Sequence, residues 1–310
     1  STVGKRIERM IDFQDRVALV TGAGRGLGAS HARLLASRGA AVVVNDPGVA
    51  TDGTESEARP ADEVVAEIKE AGGAAVADYG SVSNPDDAEA MVQRAIDEFG
   101  RIDIVINNAG ILRDKAFHNL EWPNLEAVLD VHLKGAFFVT RPAFRHMREQ
   151  SYGRIVMTSS NSGLLGNFGQ ANYGAAKMGL VGLMNVLAIE GAKYDIKVNA
   201  IAPVAHTRMT EEILGPMADK LEPSQVSPVV AYLASEACPV TGEVYSAAGG
   251  VVSRMFVGLT PGWFKHPVKE GALTPEDIAE HFDEIRNEEG YIVPASNQDE
   301  LQKLAALLFS

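Results

Sequence analysis

The sequence contains a single cysteine, Cys238, among its 310 residues, so no disulfide can form within the chain. It also lacks an excess of positive charge. The formal net charge is -13 at pH 7, and such a surface repels the phosphate backbone of nucleic acids. No run of about 18 continuous apolar residues is present, so we expect no segment to span a membrane. No motif with metal-ligand spacing is present either, and we predict no metal site.

Recognisable targeting signals are also missing from both ends of the given sequence. The first residues lack the apolar run of a secretory signal, and the last three, Leu308 to Ser310, differ from the Ser-Lys-Leu address of peroxisomes. We therefore expect a reducing, soluble, cytoplasmic compartment. Hydrophobic residues make up 46% of the chain and charged residues 22%, a balance that is typical of a globular protein.

Short β-branched runs alternate with longer stretches of helical character. Six runs predict strands and a weaker seventh follows them, at residues 17–20, 41–44, 74–77, 102–106, 154–157, 196–199 and 243–246. This alternation is typical of parallel strands joined by right-handed crossovers, and the apolar runs indicate a sheet buried on both faces. We predict an α/β fold, a Rossmann-type doubly wound parallel sheet of about seven strands. Its ligand crevice should lie at the carboxyl ends of the strands.

The alternation stops after Gly250. Thr274 and Pro275 then predict the N-cap and first position of a helix, and residues 298–308 form a last amphipathic stretch. We predict a Rossmann domain over residues 1–250. Residues 251–310 should form a mostly helical C-terminal extension that packs on this core or on a partner subunit.

A glycine-rich loop follows the first predicted strand and leads into a helix. Glycine permits a tight turn and lets backbone N–H groups approach a pyrophosphate, while the helix dipole faces its negative charge. Glycine spacing alone is a weak signal, but the order of strand, loop and helix predicts a dinucleotide site. The candidate contacts are Gly22, Arg25, Gly26, Leu27 and Gly28.

Asp46 ends the second predicted strand. A carboxylate at this place accepts hydrogen bonds from the ribose of adenosine and repels a 2′-phosphate, which favours NAD over NADP. Arg25 argues the other way, because a guanidinium in the loop could bind that phosphate. We favour NAD, since a carboxylate that faces a phosphate is costly.

Tyr173 and Lys177 are four residues apart on a helical stretch and share one face of it. Ser160 lies just beyond the strand that ends at Met157, and residues 107–110 end another strand at the same edge of the sheet. Alone, each feature is weak. Together they bring two strand ends, a glycine-rich loop and a Tyr/Lys helix to one crevice.

The set Thr-Gly-x-x-x-Gly-x-Gly, Asn-Asn-Ala-Gly, Ser and Tyr-x-x-x-Lys resembles the short-chain dehydrogenase/reductase family across residues 17–250. The resemblance implies that Tyr173 exchanges a proton with the substrate oxygen, and that Ser160 donates a hydrogen bond to it. Lys177 would bind the nicotinamide ribose and lower the pKa of Tyr173. An ammonium roughly 5 Å away contributes about 3 kcal/mol at an effective dielectric of ~20, or roughly two pK units. The cofactor contacts implied at the second strand end are Asn108, Ala109 and Gly110.

Three positions depart from the family pattern. His132 stands where most members have an Asn that supports a water-mediated proton path to the lysine. Gly80 replaces an Asp that contacts adenine, so we expect Ser81 to make this contact through its backbone and Val82 to line the same place. The usual Pro-Gly is changed after Pro203, beyond which Thr207 is the candidate for binding the nicotinamide carboxamide.

Further stretches resemble one subgroup, the (3R)-hydroxyacyl-CoA dehydrogenase part of the peroxisomal multifunctional enzyme type 2 and its bacterial stand-alone relatives. The similar stretches are residues 44–46, 108–114, 131–133, 166–173, 187–191, 201–203 and 273–276. In this subgroup a His also stands at the place of His132. Charge for CoA phosphates would come from Arg113, Lys115, Arg208 or Arg254. An apolar slot would involve Met209, Met217, Phe256, Trp263 or Phe264.

The resemblance implies NAD-dependent interconversion of (3R)-3-hydroxyacyl-CoA and 3-oxoacyl-CoA in the β-oxidation of fatty acids or steroid side chains. Two alternatives share this chemistry, a 17β-type hydroxysteroid dehydrogenase and a 3-oxoacyl thioester reductase. A third is a nucleotide-binding scaffold without turnover. Family members pair through two long helices, here about 122–150 and 171–193, so we expect a homodimer or homotetramer. An enoyl-CoA hydratase could work beside the enzyme.

Overall fold

The computed structural model describes residues 10–48, 59–205 and 220–309. Within them, eight strands form one sheet: β1 (Val17–Val20), β2 (Ala41–Asn45), β3 (Ala74–Asp78), β4 (Ile104–Asn107), β5 (Gly153–Thr158), β6 (Ile196–Pro203), β7 (Val244–Ala248) and β8 (Val251–Met255). Their order is β3-β2-β1-β4-β5-β6-β7-β8. Strands β1 to β7 pair in parallel. The predicted Rossmann-type α/β fold is confirmed.

The helices of the described residues are α1 (Gly26–Ser37), α2 (Pro60–Glu70), α3 (Pro85–Phe99), α4 (Trp122–Leu129), α5 (Gly135–Gln150), α6 (Asn161–Leu164), α7 (Ala171–Gly191), α8 (Ser227–Leu233), α9 (Pro275–Glu280), α10 (Phe282–Arg286) and α11 (Asn297–Leu308). A π-helical turn, Asp130–Lys134, joins α4 to α5. Short 3-10 turns lie at Phe117–Asn119, Ala192–Tyr194 and Pro223–Gln225.

The inner strands are apolar and buried along their whole length, as in β1, β4 and β5. This burial on both faces explains why their sequences run apolar without alternation. Strand β1 lies between β2 and β4, so the chain leaves the sheet in opposite directions on the two sides of β1. The crevice beyond the carboxyl ends of β1 and β4 is therefore the place where this topology holds a ligand.

Local sequence signals fix where the helices begin and end. The Asn84 side chain accepts hydrogen bonds from the N–H groups of Asp86 and Asp87 and so caps α3, whose first residue is Pro85. Gly100 ends α3 with φ of 80°, a left-handed conformation that glycine adopts without strain. In the C-terminal part, Thr274 caps α9 in a capping box, as its sequence predicted.

The sheet extends one strand beyond the seven that the sequence predicts. Gly249 and Gly250, both at positive φ, form a two-residue turn after β7, and the chain returns as β8. Most of β8 is exposed, so its residues show no apolar pattern that would predict a buried strand. The two consecutive glycines, Gly249 and Gly250, were the feature of the sequence that could have indicated a turn to an eighth strand.

The chain divides into two compact units, Ser1–Arg254 and Met255–Ser310. In the second unit, Leu259 and Ile292 pair through backbone hydrogen bonds, and the ring of Trp263 stacks on that of His281. Helices α9, α10 and α11 have no buried residue. Local caps and ring contacts, more than an apolar core, therefore hold this unit's helices in place.

Helix α7 and the turn after it, Ala171–Tyr194, are long and apolar enough to cross a membrane by length and composition. This is weak evidence, because 44% of that window is buried inside the protein and the helix packs against β6 and α6. Polar Asn172 and Lys177 are also buried on it, each with hydrogen-bond partners. One side of α7 is apolar because it packs against the rest of the protein. Apolar residues on its other side are exposed.

Candidate active site

The loops after β1, β4 and β5 meet at the carboxyl edge of the sheet. The Thr21 hydroxyl oxygen accepts hydrogen bonds from the N–H groups of Asn108 and Ala109, at 3.0 and 3.1 Å. In return, Asn108 Nδ2 donates to the carbonyl oxygens of Thr21 and Gly22, at 3.0 and 3.1 Å. The glycine-rich loop and the loop after β4 are thus held together by four hydrogen bonds.

The glycine-rich loop is packed too closely for larger residues. Gly22 has φ of 60°, and a Cβ at Gly28 would overlap the carbonyl oxygen of Gly22. Helix α1 begins at Gly26, and Arg25 at its N-cap makes no side-chain capping bond. The first N–H groups of α1 are thus left for an anion. This donor set fits the pyrophosphate of a dinucleotide, and the predicted contacts Gly22, Gly26, Leu27 and Gly28 lie together here.

Asp46 follows β2 directly, half-buried at the same edge. Its Oδ2 accepts a hydrogen bond from Gly24 N–H at 3.0 Å and its Oδ1 one from Gly48 N–H at 2.8 Å. Both oxygens are therefore held in place by backbone groups and keep lone pairs for ribose hydroxyls. Arg25 is exposed.

The predicted adenine contacts lie beyond β3. The Ser81 N–H donates to Asp87 Oδ2 at 2.9 Å, and the side chain of Val82 is buried. The expected contact of Ser81 through its backbone therefore has to use a group other than this N–H, because α3 already binds it.

Tyr173 and Lys177 lie on the first turns of α7, on one face as predicted. Lys177 is buried, its Nζ donates to the carbonyl oxygen of Thr158 at 2.6 Å, and it lies 5.4 Å from the centre of the Tyr173 ring. Ser160 caps the short helix α6, where its Oγ accepts from Ser162 N–H at 3.1 Å. The structure thus brings Ser160, Tyr173 and Lys177 to one crevice.

Burial is the largest cause of the pKa shifts of Lys177 and Tyr173. Desolvation lowers the pKa of Lys177 to about 7. Desolvation also raises the pKa of Tyr173, a hydrogen bond with Ser160 lowers it, and the charge of Asp114 raises it further. The expected lowering of the Tyr173 pKa by Lys177 is not found. Burial of the phenol is the largest cause of its raised pKa, and burial also drives Lys177 towards its neutral form.

His132 is buried on the π-helical turn, and its ring meets that of Tyr173 edge-on with 5.1 Å between centres. Its Nε2 lies 3.0 Å from the N–H of Ile111 and 2.8 Å from the carbonyl oxygen of Ile111. Its Nδ1 has no hydrogen-bond partner among the described residues. Desolvation, followed by the charge of Lys177, lowers the pKa of His132 well below its usual value, so the ring is neutral.

Four polar residues that the sequence analysis gave no role surround the crevice. Gln170 Nε2 donates to Asp114 Oδ2 at 2.7 Å, and Gln170 Oε1 accepts from Ser162 Oγ at 2.7 Å. The buried Asn172 donates to the carbonyl oxygens of Arg113 and Asn124 and so fixes the start of α7. All lie within or beside stretches that resemble the subgroup, and this was the one signal that pointed to them.

Other predicted residues lie elsewhere. Thr207, Arg208, Met209 and Met217 fall outside the described residues. Pro203 ends β6 at the carboxyl edge. Arg254 forms an ion pair with Glu243 at 3.1 Å. The aromatic candidates Phe256, Trp263 and Phe264 belong to the second unit. Among the described residues, no group of three metal-binding side chains is placed to hold an ion.

The sequence profile described as short chain dehydrogenase matches residues 16–216, so the chain belongs to the short-chain dehydrogenase family. It is 57% identical over 247 residues to a short-chain type dehydrogenase/reductase of Mycobacterium tuberculosis, which covers 79% of this chain and 86% of the relative. A hydroxyacyl-CoA dehydrogenase of that organism is 38% identical over 264 residues, covering 80% of this chain and 82% of the relative. The protein is thus an oxidoreductase of CH–OH groups whose family binds NAD or NADP.

The subgroup resemblance is confirmed as well. The full-length peroxisomal multifunctional enzyme type 2 of Drosophila melanogaster superposes with a TM-score of 0.80 at 37% identity, covering 96% of this chain and 50% of that chain. Five relatives named as peroxisomal multifunctional or hydratase-dehydrogenase-epimerase proteins are 44% to 48% identical. The chain spans only 30% to 66% of their length.

Proposed function

We propose that this protein is an NAD-dependent dehydrogenase that interconverts (3R)-3-hydroxyacyl-CoA thioesters and their 3-oxo forms. The observation that carries the proposal is the meeting of Tyr173, Lys177 and Ser160 in the crevice beside the glycine-rich loop. A phenol, an ammonium and a hydroxyl at that distance can handle the proton of a secondary alcohol.

In the proposed reaction, a nicotinamide cofactor held by the glycine-rich loop and Asp46 would supply the acceptor for the hydride of the alcohol carbon. Tyr173 Oη takes the proton of the alcohol oxygen, and Ser160 Oγ donates a hydrogen bond to that oxygen. Lys177 lies close enough to stabilise the phenolate, and the carbonyl oxygen of Thr158 holds its ammonium in place. His132 orients the chain after Gly110 through Ile111 and closes one side of the Tyr173 ring. In the reverse direction Tyr173 returns the proton.

The preference for NAD rests on Asp46. Its two oxygens are fixed by Gly24 and Gly48 and present negative charge where the adenosine ribose binds in this fold. A 2′-phosphate there would meet a carboxylate that cannot turn away. Arg25, the group that could bind such a phosphate, is exposed at the N-cap of α1.

The substrate class rests on the relatives. One is named a hydroxyacyl-CoA dehydrogenase, and several are multifunctional proteins whose names include a hydratase and a dehydrogenase. Lys115, exposed beside the crevice, and Arg113, which precedes Asp114, are the described cations that could bind CoA phosphates. A hydratase partner and a homodimer or homotetramer belong to the same proposal. The cytoplasmic compartment stays a prediction.

A substrate panel tests the proposal. Purified protein is assayed with a chain-length series of 3R and 3S hydroxyacyl-CoA thioesters and with hydroxysteroids, each with NAD+ and with NADP+. We expect the highest kcat/KM for a 3R thioester with NAD+. Faster turnover of a steroid hydroxyl would support the hydroxysteroid alternative, and faster turnover with NADP(H) in the reductive direction would support the 3-oxoacyl thioester reductase.

The variant Tyr173→Phe tests the acid/base role. Because general acid/base catalysis contributes about 10²- to 10⁴-fold, we expect kcat to fall by at least two orders of magnitude, while NADH binding measured by fluorescence is retained. Tyr194→Phe is the matched control, since Tyr194 is bonded to Arg148 in the turn after α7 and should not affect turnover. Activity of Tyr173→Phe at the parent's level would favour another base, and absence of turnover in the parent would favour a nucleotide-binding scaffold.

A further inference from the structure

Asp114 and Ser160 lie on different loops but are joined by a chain of hydrogen bonds. Asp114 Oδ2 accepts from Gln170 Nε2, Gln170 Oε1 accepts from Ser162 Oγ, and the Ser162 N–H donates to Ser160 Oγ. Gln170 is 6% exposed, and the adjacent Lys115 N–H donates to the carbonyl oxygen of Gly169 at 2.9 Å. The exposed carboxylate of Asp114 is therefore held by a buried amide, and the backbone bond of Lys115 holds the loop that carries it.

The titratable and polar groups beside Tyr173 lie on α7, on the π-helical turn and on the loops after β4 and β5, whereas α4 contributes the apolar side chains of Val128 and Leu129. Lys177 lies on α7 and carries a cation only when protonated. His132, on the π-helical turn, is buried and neutral. From the loop after β5, Ser160 contributes an uncharged hydroxyl. The loop after β4 is held against the start of α7, because Asn172 donates to the carbonyl oxygen of Arg113 at 3.0 Å and Gln170 to Asp114 at 2.7 Å. Asp114 therefore lies beside Tyr173, and its negative charge raises the pKa of the phenol.

We propose that Asp114, held by Gln170, is a positioning residue that favours the protonated form of Tyr173. This inference rests on the proposed acid/base role of Tyr173 and adds to it a group that sets the pH at which that role begins. A negative charge beside a phenol disfavours the phenolate, since like charges repel. Asp114 thereby adds to the effect of burial, and its charge shifts to higher pH the point at which Tyr173 can accept the proton of the alcohol.

The test is the pH profile of alcohol oxidation by Asp114→Asn at saturating NAD+. Asn keeps the size of the side chain and an oxygen that accepts from Gln170, but removes the charge. We expect the inflection of kcat to move to lower pH while KM stays near that of the parent. The ratio of variant to parent rate should then be larger below the inflection than on the plateau, which a merely structural defect would not produce. High salt should reduce the shift, because Asp114 is exposed.

Two further variants complete the test. Asp97→Asn removes a carboxylate on α3 that is bonded to Gln93, and its profile should match that of the parent. Gln170→Leu cannot hold Asp114 or Ser162, so we expect a shift in the same direction together with a lower kcat. Profiles of Asp114→Asn and parent that superimpose, or an inflection that moves to higher pH, would overturn the proposal.

A second measurement separates this inference from the proposed function. Tyrosinate absorbance with NAD+ bound is titrated in the parent and in Tyr173→Phe, and the difference gives the ionisation of Tyr173 without turnover. The same difference is taken in the Asp114→Asn background. A lower ionisation pH in that background supports the role of Asp114 whatever the substrate is, and an unchanged one contradicts it.

Discussion

Lys177 places a titratable amino group in an almost fully buried position. The side chain is 3% exposed, and its charge is met by one carbonyl oxygen, that of Thr158. Burial lowers its pKa to about 7, so the charged form is disfavoured by a few kcal/mol relative to the unfolded chain. The protein keeps at its reactive centre a residue that opposes folding.

Replacing Lys177 with Met should therefore stabilise the fold and abolish turnover. Met fills similar space without a charge, and we expect the free energy of unfolding in urea at neutral pH to rise by roughly 2 kcal/mol. Lys197→Met is the matched control, because Lys197 also donates to a backbone carbonyl, that of Cys238 at 2.6 Å, but is only partly buried. The free energy of unfolding of Lys197→Met should equal that of the parent. A loss of stability in Lys177→Met would contradict this account.

Prediction from sequence succeeded for residues with motif spacing and failed for residues joined by tertiary contacts. Tyr173, Lys177 and Ser160 follow from their place after strands and on one helix face, and the structure brings them together. Gln170 and Asp114 are 56 residues apart, so their contact could not be foreseen without the fold. The direction of the Tyr173 pKa was also missed, because it depends on burial, which Coulomb's law applied to two charges omits.

At the scale of elements, the strands were predicted to within a few residues because their apolar runs are short and bounded. The eighth strand, Val251–Met255, was missed because it is exposed and lacks such a run. The π-helical turn Asp130–Lys134 was missed as well. Such single turns are rare in helices and no residue type marks them, yet this one buries His132 against Tyr173.

Helices α1 and α8 are joined by a buried polar contact. His31 Nδ1 lies 2.8 Å from Ser227 Oγ, which is also 2.7 Å from Ser30 Oγ. Desolvation lowers the pKa of His31 to about 3. Since the folded pKa lies below the unfolded value of about 6.5, the unfolded chain binds more protons, and stability falls as the pH drops from 6.5 towards 3.

This contact predicts a pH-dependent stability. Between pH 7 and pH 5 we expect His31 to remove about 2 kcal/mol from the free energy of unfolding. The variant His31→Gln should lack this part of the dependence in urea titrations at the two pH values, while His132 contributes in the same direction in both proteins. His118→Gln changes an exposed histidine and should keep the parent's slope. Equal slopes for His31→Gln and parent would count against the assignment.

At the scale of the whole molecule, α7 leaves an apolar surface uncovered within the described chain. Met178, Val186 and Ile189 are 37%, 52% and 58% exposed, although the opposite side of α7 packs on the sheet. An exposed apolar patch of this kind is typical of a protein interface. Small residues such as Gly182 on the same helix permit close approach of another helix. The predicted pairing of subunits through α7 gains physical support from this surface.

Charge placed on that surface should break the assembly. The parent should show two or four times the chain mass of 33.0 kDa by light scattering, and Val186→Glu with Ile189→Glu should show a smaller assembly, since buried unpaired carboxylates are costly. Gln93→Glu, which adds the same charge on α3, should not change the mass. A parent that runs at 33.0 kDa would exclude the pairing.

The mutual bonds between Thr21 and Asn108 have a consequence for how such an enzyme can diverge. These bonds hold the phosphate-binding turn at a fixed distance from the chain that leads past Gly110. The parts of the site that would bind the two ends of a dinucleotide are therefore positioned before the cofactor binds. Substitutions outside these two loops could change the substrate preference and leave the cofactor site unaltered. Descendants of one ancestor could then exchange the molecules they oxidise while the hydride donor and acceptor keep a common alignment.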